Sequence, residues 1–76
     1  MSVQQFLASS LAEAIAGGTE FAAMKSLVAD MEAQDLAPEV KRAKVIEDFK
    51  AIGYQLAGWT VNALLELALI WVRAAI

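Results

Sequence analysis

The stretch Ala51–Val72, AIGYQLAGWTVNALLELALIWV, decides how the chain folds, because Glu66 is its only formal charge and Lys50 and Arg73 bracket it. Taken as a helix at about 100° per residue, its polar residues fall on one line: Gln55, Asn62, Glu66 and Arg73, with Trp59 sharing it. Leu, Ile, Val and Ala occupy most of the remaining circumference, interrupted by Thr60 and two glycines. A helix with so broad an apolar surface has to be covered on nearly every side, by protein or by lipid. Gly53 and Gly58 each cost a helix interior about 1 kcal/mol, so a break or bend is expected between them. Val61–Ala75 is then the most strongly helical segment of the sequence.

The rest of the chain supplies partners for that helix. Its 76 residues make one domain, too short to bury a generous core alone. There is no cysteine and no histidine. Disulfides, thiolate metal sites and the commonest general base are therefore absent, and oligomerisation or docking is the stabiliser left open. The chain is 59% hydrophobic, above the ~45–50% apolar usage of ordinary domains, which is difficult to hide inside one small monomer. Nine acids against six bases give a net charge of −3. Nucleic acid is not expected as a partner, since phosphate neutralisation needs a basic face. Lys41, Arg42 and Lys44 do cluster, but Glu39, Glu47 and Asp48 surround them as on a solvated, ion-paired helix face.

Toward the N-terminus, Ser2 followed by Gln5 has capping-box spacing. Val3, Phe6, Leu7, Leu11, Ala14 and Ile15 then form a broad apolar stripe at helical period, for which core packing is the default expectation and a surface-lying face the alternative. Gly17 and Gly18 end that helix. Leu11–Gly18, LAEAIAGG, shares the double glycine and Ile15 spacing of some exported-peptide leaders, but its Leu and Glu are out of order and a helix end explains the glycines more simply. No secretory signal is expected, because no basic segment precedes the apolar run and Glu13 interrupts it. Thr19 is the expected cap of a second helix, buried through Phe21, Met24, Leu27, Val28 and Met31. Pro38 suits the first turn of a third, buried through Val45, Ile46, Phe49 and Ile52, with Val40 and Ala43 off that face. Lys44 with Asp48 and Glu47 with Lys50 are spaced to pair on its outer side. The expected architecture is all-α: a small bundle of three to four helices, at about 2–16, 20–34, 38–52 and 55–75, ending in a long apolar C-terminal helix.

No residue pattern here points to a reaction. Glu47 and Asp48 are sequence neighbours and diverge by about 100° on a helix, so they make no facing acid pair. Asp30, Glu32 and Asp35 lack the glycine and terminal glutamate of a calcium loop. No phosphate-cradling glycine motif is present. The expectation is a non-enzyme with no cofactor, no metal and no small-molecule substrate. Glu66 is the residue whose placement asks for an explanation: a dry, unpaired carboxylate would cost several kcal/mol. Arg73 lies two turns away, about 10 Å along the axis. Three arrangements remain open: a stripe facing water at the bundle edge, a polar contact between subunits, or a water-lined membrane pore. The expected interaction surface comprises Trp59, Asn62, Glu66, Leu67, Ile70, Trp71 and Arg73.

From Met24 onward, the layout resembles small bacteriophage proteins, the holins of the LL-H type. The residues that carry the likeness are Glu39 with Lys41, Arg42, Lys44 and Glu47 on a charged helix, then Ala63–Trp71 with Glu66 inside. The resemblance implies a phage setting. It departs from such holins at the N-terminus, where they are expected to cross the membrane, since Ser2–Ala16 is short of the ~20 apolar residues a crossing needs. The leading functional expectation is a structural or assembly protein, a phage virion or accessory component that associates with itself or with a larger phage structural protein, located in the virion or the host cytoplasm. The alternative is a holin-like protein of the host inner membrane: Ala51–Val72 is long enough to span, but an acid near the bilayer centre costs roughly 2.5–3.5 kcal/mol.

Overall fold

The first and third helices begin where local chemistry satisfies a free N–H group or spares one. The computed structural model describes residues 1–74. Helix α1 spans Val3–Ile15, and its start is a complete capping box: Ser2 Oγ accepts the Gln5 N–H at 3.1 Å, and Gln5 Oε1 accepts the Ser2 N–H at 3.0 Å. Gly17, at φ +139°, turns the chain so tightly that α2, Gly18–Glu32, starts at once. Thr19 is therefore not the cap expected of it; it lies inside the first turn, and Gly17 occupies the capping position without a side chain. A Cβ on Gly17 would come within 2.5 Å of Glu20 Oε2.

Helix α3 is Pro38–Ala51. Ala37 is extended, Pro38 takes the first turn, and the Val40 and Lys41 N–H groups bond to the Ala37 carbonyl. Gly53, at φ +109°, closes the helix by donating its N–H to the Lys50 carbonyl at 3.0 Å. Residues 54–57 are not helical, and α4 then runs Gly58–Ala74. Ala75, the last residue of the expected fourth helix, lies outside the described residues. No helix among the described residues is long and apolar enough to cross a membrane.

The four helices form a flat slab of 29 × 29 × 16 Å. Helix α4 packs on α1 and α2, while α3 packs on α2. The shared core joins Phe21, Met24 and Val28 of α2 to Val45 and Phe49 of α3 and to Val61, Leu64, Leu65 and Ala68 of α4. Tyr54, just past α3, folds back to stack on Phe49 with ring centroids 5.0 Å apart. Each large side chain so buried contributes roughly 1.5–3 kcal/mol. Ile52 does not join them: α3 stops at Ala51, and the turn carries Ile52 off the buried face into solvent.

The larger correction concerns α1. Its buried residues are Gln5, Ala8 and Ala12, and the stripe expected to be core faces outward through Val3, Phe6, Leu7, Leu11 and Ala14, with Ile15 half-buried. The reason is steric and polar together. Alanines at the contact let α1 approach its neighbours closely. Gln5, whose Nε2 donates to the Trp71 carbonyl at 3.3 Å, ties the start of α1 to the end of α4 while keeping its own polar atoms bonded.

Candidate functional site

The polar line on α4 is answered from within the chain. Arg42 reaches from α3, its Nη1 pairing with Glu66 Oε1 and its Nη2 donating to Asn62 Oδ1 at 3.1 Å. Asn62 also donates through Nδ2 to the Gly58 carbonyl, one turn back, at 3.0 Å. Arg73 pairs with Glu32 of α2 at 3.4 Å. Glu66 is thus neither dry nor unpaired, and the helix is anchored to α3 on one flank and α2 beyond it. These groups are substantially exposed, so each ion pair is worth about 0–1 kcal/mol. On α3 itself Lys44 pairs with Asp48 at 3.4 Å. Glu47 and Lys50 form no ion pair among the described residues; both face water.

Arg42 spans a seam where α3 and α4 stand apart. Beneath it lies an open cleft of about 340 Å³, floored by Val28, Met31, Val45, Leu65 and Leu69 and rimmed by charged side chains from all three helices. Its rim charges nearly balance: Lys41, Arg42 and Arg73 stand against Glu32 and Glu39.

The apolar members of the expected surface go elsewhere. Leu67 and Ile70 line a shallow groove with Gln4, Leu7 and Leu11 of α1, floored by Ala8. Trp71 turns inward, half-buried, with Lys25 Nζ 4.3 Å from its ring centroid; its indole N–H is buried without a partner. Trp59 projects from the start of α4. Asn62, Glu66 and Arg73 therefore belong to the ion-paired flank, Leu67 and Ile70 to the α1 groove, and Trp71 to the packing under α2.

The unpartnered surface is centred on α1. Val3 is 75% exposed, Phe6 61%, Leu7 54% and Leu11 55%, beside Ile70 at 46% on α4, while Trp59 is 67% exposed. The α1 residues were legible as a stripe; what the sequence did not reveal is that this stripe, and not the alanines, is the outward one. Such an arrangement can bury area against another surface. Among the described residues, no group of three or more carboxylates is placed to hold a metal ion. Compared with known proteins, the chain matches no family model, no curated protein and no solved structure.

Proposed function

We propose that the chain is a non-catalytic helical assembly protein, acting by burying the outer apolar surface of α1 and α4 against copies of itself or a larger structural protein. The observation that carries this reading is the row Val3, Phe6, Leu7 and Leu11 standing in water beside Ile70. Large exposed apolar side chains gathered in one place, as Leu7, Leu11 and Ile70 are, often mark a functional surface. That surface accompanies a composition of 59% hydrophobic residues, which is difficult to hide inside one small monomer. The resemblance to phage proteins on Glu39–Glu47 and Ala63–Trp71 suggests the setting, a bacteriophage virion or its accessory machinery, with the apolar C-terminal helix as part of the docking surface.

Native mass as a function of concentration, together with co-purification with phage particles, tests this reading. Association with itself or with particles is expected. A monomer at all concentrations that leaves particles bare overturns it. The membrane-inserting alternative needs a spanning helix, and no described helix qualifies; recovery from membranes only with detergent would favour that alternative instead.

A further inference from the structure

The outer face of α1 has a register that suits a second copy of itself. With Val3 as the reference direction, the centre of that face holds Val3, Leu7, Ser10 and Ala14, all within about 40° of one line and all exposed. Turned antiparallel, this line is self-complementary: large stands opposite small at both levels, Val against Ala and Leu against Ser. The face also carries no charge at its centre. Glu13, the only charged residue of α1, lies some 80° off the line. Its carboxylate is turned toward the start of α2, where Oε1 would sit 3.2 Å from a Cβ built on Gly18.

We propose that two copies pair about a two-fold axis through antiparallel α1 helices, with Val3 over the partner subunit's Ala14 and Leu7 over the partner subunit's Ser10. This rests on the assembly reading above and names its partner. The α1 face with Ile70 is about one helix wide, near the small end of specific interfaces, which begin at about 1,000 Å² in total, so the dimer is concentration-dependent. Small residues at half of the central positions let the axes approach closely, as Ala8 and Ala12 do on the inner face. An anionic lipid surface is disfavoured as the occupant: α1 has no basic side chain and the chain is acidic.

The chain has no cysteine, so single introduced thiols report the geometry cleanly. Val3→Cys and Ala14→Cys are prepared separately, mixed in equal amounts, oxidised and weighed intact. Residues 3 and 14 lie about 16 Å apart along α1, beyond the ~7 Å Cα separation a disulfide tolerates. Antiparallel pairing therefore gives the mixed disulfide and little of either symmetric one. Leu7→Glu is expected to weaken the dimer at least about ten-fold, by placing a charge in the centre of the interface. Symmetric disulfides in place of the mixed one overturn the antiparallel register. Association that survives Leu7→Glu and yields no disulfide overturns α1 pairing while leaving the assembly reading in place. A wild-type chain that stays monomeric as concentration rises overturns the dimer; the assembly reading falls with it only if particles and larger proteins are not bound either.

Discussion

Helices α1 and α4 lie against one another yet divide their side chains in opposite ways. Helix α4 sends Leu64, Leu65 and Val61 inward and keeps Asn62, Glu66 and Arg73 on the water side. Helix α1 sends Ala8 and Ala12 inward and leaves Val3, Phe6, Leu7 and Leu11 outside. Along the middle of α4 hydrophobicity and burial agree, because the helix packs over both α1 and α2, while Trp59 and Ile70 stay exposed. In α1, the inward positions are Gln5 and two alanines, and the larger apolar side chains fall on the opposite side. Large apolar residues left outside the core remain available for a surface outside the chain.

That contrast can be broken most forcefully by comparing two phenylalanines. Phe49 is fully buried and stacked on Tyr54, so Phe49→Ala should cost about 3–5 kcal/mol in urea-unfolding midpoint terms. Phe6→Ala, on the outer face, should stay within about 0.5 kcal/mol in dilute solution. Equal losses at the two positions would mean that Phe6 is core after all. Next in size come two alanines of the same helix. Enlarging Ala12 to Leu should overpack the α1–α4 contact at a cost of about 1–3 kcal/mol. Enlarging Ala14, two residues on and exposed, should leave the monomer's thermal midpoint nearly unchanged. The smallest effect sharpens the polar side of the comparison. Arg42→Ala removes the partner of Glu66 and Asn62 at a cost of no more than about 1 kcal/mol, and the difference from wild type should shrink in high salt. A loss of several kcal/mol there would show the seam between α3 and α4 to be drier than its exposed side chains imply.

The helix beginnings and ends were open to a reader of the sequence because they depend on neighbouring residues. Ser2 with Gln5, Pro38, and the glycines at 17 and 53 act through bonds and dihedrals a few residues long. Thr19 misled because a glycine in a positive-φ turn began the helix before a hydroxyl was needed. The polar line on α4 was equally visible, but its partner was not. Arg42 stands 24 residues before Glu66, inside a charge cluster that reads as ordinary solvated surface. Only the placement of α3 across the seam turns that guanidinium toward α4.

By itself, then, the sequence determined an all-α chain of three to four helical segments, the absence of cysteine and histidine chemistry, and an excess of apolar side chains. Periodicity of 3.6 residues per turn places Val3, Leu7 and Leu11 on one arc of α1 and Gln5, Ala8 and Ala12 on the other. It is indifferent to which arc meets the neighbouring helix. The tertiary structure decided that, because the rotation of a helix about its own axis is chosen by how its faces fit its neighbours, and here the face of Gln5, Ala8 and Ala12 is the one that packs.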